Sequence, residues 1–127
     1  MKVGKLVEEH FSFLISQGFS YSCSGEKNSF ELYTFRKEAY TIVLSLDWHG
    51  DFLDILVKKN NRLLLETAYD AVTVNKESSD TEVFSQRLKA IYAKPSKTLS
   101  LSKRKIIQLT NLYALWVMRI ISENLSQ

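Results

Sequence analysis

One cysteine, one proline and four glycines in 127 residues are what this chain has least of, and each scarcity excludes a class of protein. With Cys23 alone no intramolecular disulfide can form, which rules out the stapled frameworks of small secreted domains and points to a reducing compartment. So little proline and glycine excludes collagen-like and low-complexity chains. Long apolar runs are missing too. The longest, Leu112 to Met118, is closed by Arg119 and falls far short of the roughly 20 residues that cross a bilayer. At the N-terminus, Glu8, Glu9 and His10 interrupt the apolar stretch that a signal peptide would need. These absences together predict a soluble, cytoplasmic protein with no membrane partner.

Acid is missing from one long stretch. Between Glu82 and Glu123 there is none, while Arg87, Lys89, Lys94, Lys97, Lys103, Arg104, Lys105 and Arg119 are all basic. The net charge of +3 is therefore unevenly placed: residues 1–57 carry five basic and eight acidic side chains, residues 58–127 twelve basic and six acidic. A positive field over the second half would attract an acidic partner.

What is present reads as a packed domain, with 45% apolar and 24% charged residues, and a chain of this length supports one core. Residues 1–127 are read as a single α+β domain. Over residues 2–17 the apolar positions 3, 6, 7, 10, 11, 13 and 14 share one face of an amphipathic helix, which Gly18 ends. The period then changes to two. Phe19, Tyr21 and Cys23 alternate with serines, a turn at residues 25–28 follows, and residues 29–35 return with Phe30 and Leu32 on one side and Tyr33 and Phe35 on the other. That pattern predicts a strand at least partly covered on both faces. Tyr40, Ile42, Leu44 and Leu46 line one face of the clearest strand, and residues 47–51 reverse the chain into Leu53, Ile55 and Val57. Another strand is expected over 62–66. Residues 67–75 carry two signals, Ala-Tyr-Asp-Ala for helix and Val72-Thr-Val74 for strand, of which the short helix is the expectation. Ser79 and Glu82 have capping-box spacing for a helix that Pro95 ends. A last, long helix is expected over about 101–125. The prediction is an N-terminal helix, an antiparallel four- to five-stranded meander, then two to three helices packed on one sheet face. Ile42, Leu44, Leu46 and Ile55 should share a core with Leu109, Tyr113, Trp116 and Ile120.

Chemistry-bearing residues are few. Asp47, His49 and Asp51 could ligate a divalent metal from an extended chain, but Gly50 and the turn preference of aspartate favour a hairpin. His10 reads as a core histidine bonded to a backbone or tyrosine group. Cys23 could be a thiol nucleophile with His10 or His49 as base, yet no spacing requires it, and a cysteine in an alternating strand reads as a small buried hydrophobe. No catalytic residue, metal or cofactor is assigned. The remaining candidates are for partner binding. Lys94, Lys97, Lys103, Arg104 and Lys105 concentrate charge around the start of the last helix, where the macrodipole disfavours cations. Leu115 sits within the polar stripe of Gln108, Asn111 and Arg119, where an apolar side chain has no intramolecular purpose. Trp48, at a loop tip, is a candidate anchor, although a ring folded back over the sheet is the commoner arrangement. A second copy of the chain is another possible occupant of this surface.

The stretch Phe13-Leu-Ile-Ser-Gln-Gly-Phe19, followed by Tyr40-x-Ile-x-Leu-x-Leu-Asp-Trp-His-Gly-x-Phe-Leu-Asp-Ile-Leu-Val57, resembles small bacterial immunity proteins of polymorphic and contact-dependent growth inhibition toxin systems. The resemblance spans about the first half. It implies a non-enzymatic protein that neutralises a cognate toxin by direct binding, and it transfers no binding residues, because immunity surfaces differ between toxins. The basic balance departs from the acidic character common in partners of nuclease toxins, so the implied toxin presents an acidic surface. The alternatives are a nucleic-acid-associated protein using the basic half and, after it, a small metal-dependent enzyme. Against the first, the aromatic residues that would stack bases lie mainly between positions 11 and 52.

Overall fold

The computed structural model describes residues 2–74, 81–93 and 103–125. Two short helices, α1 (Val3–His10) and α2 (Ser12–Ser16), lead into six strands: β1 (Ser20–Glu26), β2 (Phe30–Lys37), β3 (Tyr40–Asp47), β4 (Phe52–Lys59), β5 (Arg62–Ala68) and β6 (Ala71–Val74). Helices α3 (Thr81–Ala93) and α4 (Lys103–Leu125) follow. The strands pair in sequence order as an antiparallel meander. The architecture is α+β, with one strand more than the sequence predicts. No helix among the described residues is long and apolar enough to cross a membrane.

All five hairpins turn on a left-handed residue: Asn28, Glu38, Asp51, Asn60 and Tyr69. Three of these are the Asn and Asp types that tolerate that conformation, which is why the first, third and fourth turns are legible in sequence. Tyr69 is the reason the short helix expected over 67–75 is instead the end of β5, a two-residue turn and β6. Its amide donates to the Asp54 carboxylate at 2.9 Å and its ring lies 4.5 Å from that of Tyr92. Two long-range contacts outweigh the weak helical preference of Ala-Tyr-Asp-Ala. The predicted N-terminal helix is also divided, at Phe11 (φ −106°, ψ 18°). The buried Phe11 ring stacks on Phe35 at 5.4 Å, and a helical wheel carries no information about such a contact. Gly18 ends the segment at φ 93°, where the Phe19 amide returns to the Leu14 carbonyl. The capping box at Ser79 and the stop at Pro95 lie outside the described residues.

Alternation is strict on β3, where Tyr40, Ile42, Leu44 and Leu46 are buried and the residues between them are half-buried. These side chains join Leu53, Ile55, Leu109, Tyr113, Trp116 and Ile120 in one core, as predicted. All the helices lie on this face. On β2 only the side of Tyr33 and Phe35 is buried, and Phe30 on the other is 42% exposed, so the expected two-sided cover is one-sided. Cys23 is exposed, not buried, because β1 is an edge strand whose residues are mostly exposed.

The β4–β5 ladder runs only from Leu56 to Lys59, with a shift in register between Val57 and Lys58. Leu53 and Ile55 of β4 therefore need other partners for their buried backbone groups. Tyr92 Oη accepts from the Leu53 amide at 3.1 Å and donates to the Leu53 carbonyl at 3.0 Å. Tyr113 Oη donates to the same carbonyl at 2.6 Å. Thr67 Oγ1 accepts from the Ile55 amide and donates to Asp54, whose carboxyl group is raised above its ordinary range by burial, in spite of the bonds from Thr67 and Tyr69.

Four of the six tyrosines have hydroxyls held above their ordinary value near 10, first by burial. Tyr21 is pushed up to about 12, and Tyr33, Tyr92 and Tyr113 move further in the same direction. The folded state thus keeps protons that the unfolded chain gives up near pH 10, so this contribution is complete below that pH and is lost as pH rises through the folded values. Stability should fall steeply above about pH 10, and tyrosinate absorbance should rise together with unfolding. Four tyrosines titrating near 10 in a chain that stays folded would refute this.

Candidate partner-binding surface

Residues 83, 87, 90 and 91 of α3 face residues 108, 111, 112, 115, 116 and 119 of α4 along the seam between the two helices. The seam holds two adjoining hollows that share Arg87 and Leu115. One, of about 390 Å³, is lined by Val83, Arg87, Leu115, Trp116 and Arg119. The other, of about 300 Å³, extends past Ala90, Ile91, Gln108, Asn111 and Leu112. Together they form one groove, apolar along Ile91, Leu112, Leu115 and Trp116 and polar at Arg87, Gln108, Asn111 and Arg119.

Trp116 organises the groove. Its ring is 6% exposed and packs 4.9 Å from Phe84 on the core side. The guanidinium groups of Arg87 and Arg119 lie 5.7 and 5.6 Å from its centroid. Cation–π contacts of this kind contribute about 0.5–1 kcal/mol each at exposed sites; their larger consequence here is to hold two cations beside one another at the rim. Leu115 is 49% exposed and Val83 44% exposed between them. The oxygen of Gln108, farther along the groove, is buried without a hydrogen-bond partner, and such a group costs about 1–3 kcal/mol until a donor reaches it.

The candidates from sequence divide. Leu115 lies at the centre of the groove. Lys103 and Arg104 are exposed in the first turn of α4, and Arg104 lies on the same helical stripe as Gln108 and Leu115. Lys105 is half-buried, and its Nζ donates to the Tyr92 carbonyl in the last turn of α3 at 3.2 Å. It thereby complements the negative end of α3 and has a structural task. Lys94 and Lys97 lie outside the described residues. Trp48 folds back: its indole donates to Glu31 Oε2 at 2.6 Å and its ring packs against the core. It lines a separate cleft of about 280 Å³ with Lys2, Cys23 and Tyr33, so it does not join the groove. Arg87, Arg119 and Val83 line the groove as well, though none is a binding candidate on sequence alone. Their charge and spacing are visible in sequence, but only the α3–α4 pairing puts them beside Leu115.

The Asp47–Asp51 segment is a turn in which Asp47 Oδ1 accepts from the His49 and Gly50 amides, each at 2.9 Å. Its carboxylate serves the backbone. Among the described residues no group of three or more His, Cys, Asp or Glu side chains is arranged to hold a metal ion. His10 Nδ1 lies 3.0 Å from the Leu6 carbonyl, one turn back on α1. No protein family, curated protein or solved structure matches the chain, which leaves the function to be argued from this surface.

Proposed function

We propose that the chain is a non-enzymatic binding protein of the immunity type, which neutralises a bacterial toxin by receiving an acidic segment of it along the α3–α4 groove. The observation that carries the reading is the half-exposed Leu115 set between Arg87 and Arg119 over Trp116. An apolar centre with a charged rim is the usual anatomy of a protein interface, and rim cations draw in an acidic partner by long-range attraction. Lys103 and Arg104 add to the same field. The toxin class comes from the resemblance in the first half, whose Asp-Trp-His-Gly motif is spent on the β3–β4 turn. A groove in the second half is then the variable, partner-specific part.

The placement of Lys105 decides the choice of variants, because reversing it would also release the end of α3. Lys103→Glu/Arg104→Glu should slow association at low salt with an unchanged melting temperature. Arg87→Glu/Leu115→Glu should weaken binding at least tenfold, about 1.4 kcal/mol, as read by titration calorimetry with the protein that wild type captures from native extract. Capture of the same protein with equal affinity by both variants would place the interface elsewhere. Recovery of nucleic acid alone, with an affinity that falls steeply with salt, would establish the alternative.

A further inference from the structure

All the helices pack on one face of the sheet, and the opposite face has no cover among the described residues. Its outward positions are not uniformly the polar side chains of a solvated sheet. Phe30 and Leu32 of β2, Val43 of β3, Leu56 of β4 and Leu63 of β5 point outward. The register joins them: Leu32 pairs with Ser45, two residues from Val43, Val43 pairs with Leu56, and Leu63 pairs with Lys58, two residues from Leu56. The result is a diagonal apolar stripe across four strands. Its flanks are polar, with Ser20, Ser22 and Ser24 on β1 and the Glu66–Thr73 pair on β5 and β6.

Charge on this face is divided by end. Arg36, Thr41 and Lys58 form one cross-strand row, with both cations exposed. Glu26 and Asp47, either side of Phe30, lie in the row at the far end, and Asp54 lies one row inside it. A two-fold axis in the sheet plane, perpendicular to the strands, sets the row of Arg36 and Lys58 in one copy over the row of Glu26 and Asp47 in the other, and the two apolar stripes cross near Val43 and Leu56. The face carries both signs of charge, divided by end so that it can complement a second copy of itself.

We infer that the chain forms a homodimer through this face, two sheets stacked about 10 Å apart as in a β-sandwich, with both α3–α4 grooves left outward and free. The inference is independent of what the groove binds.

Sedimentation velocity on the full chain tests it. Wild type should sediment as a dimer, and Leu32→Glu/Val43→Glu as a monomer with the circular dichroism of the folded chain. Arg36→Glu/Lys58→Glu alters only exposed side chains, so it cannot empty the core. It opposes acidic rows and should weaken self-association by on the order of tenfold or more. A wild-type protein that stays monomeric at its highest soluble concentration would overturn the inference. So would a dimer untouched by the Arg36/Lys58 reversal, or one dissociated by Leu115→Glu instead.

Discussion

Trp116→Ala is expected to lower the free energy of unfolding by about 3–5 kcal/mol, the range for removing a large buried aromatic side chain. The ring contributes on two sides. Inward it packs on Phe84, itself in contact with Tyr113 at 6.1 Å between centroids, so its removal opens a cavity at the centre of the helical layer. Outward it is the surface on which Arg87 and Arg119 rest, and without it two cations lose their common support. Urea denaturation followed by far-ultraviolet circular dichroism measures the loss. A change below about 1 kcal/mol would mean that the site collapses without leaving a cavity, and would remove Trp116 from the core. Partner binding should fall as well, since the groove floor goes with the ring.

Tyr92→Phe/Tyr113→Phe is expected to cost about 3–5 kcal/mol, more than its two single changes added together, because the second deletion leaves a buried carbonyl with no partner. The Leu53 carbonyl accepts from both hydroxyls. Tyr113→Phe leaves it Tyr92, and Tyr92→Phe leaves it Tyr113 but orphans the Leu53 amide. Each single change should therefore cost about 1–2 kcal/mol. Strictly additive losses in the double-mutant cycle would show that water enters and replaces the hydroxyls. The same double variant should show a weaker decline in stability above pH 10, since two of the raised tyrosines are gone.

The extent to which this molecule is legible beforehand follows the range of the forces involved. The meander of β1 to β5 is legible because alternation and turn residues are local: Ile42, Leu44 and Leu46 share a face through the geometry of an extended chain alone, and Asn60 tolerates its own turn. Tyr69 is not legible, since a tyrosine at φ 59° is stable only with the Asp54 carboxylate at its amide and Tyr92 at its ring. The site divides in the same manner. Leu115 stands out on a helical wheel as an apolar residue in a polar stripe. Lys105 cannot be told from Lys103 by any local rule, yet one is bonded to the end of α3 and the other is exposed.

By itself, the sequence determined the α+β class, the order of the elements apart from β6, the central core residues, the basic character of the second half and the absence of an intramolecular disulfide. Each follows from periodicity, charge or a residue count, and these properties belong to the chain in any conformation. Only the tertiary structure decided that β6 is a strand, that the N-terminal helix divides at Phe11, that Trp48 is tucked against Glu31, and that Arg87 and Arg119 flank Trp116 beside Leu115. Those outcomes depend on residues far apart in sequence, and their energies exist only once two elements have closed on each other. One face of the sheet is covered and the other open for the same reason. Alternation divides the strands into two faces, but it is the joining of α1, α3 and α4 over Ile42, Leu44 and Leu46 that leaves Leu32, Val43 and Leu56 facing outward.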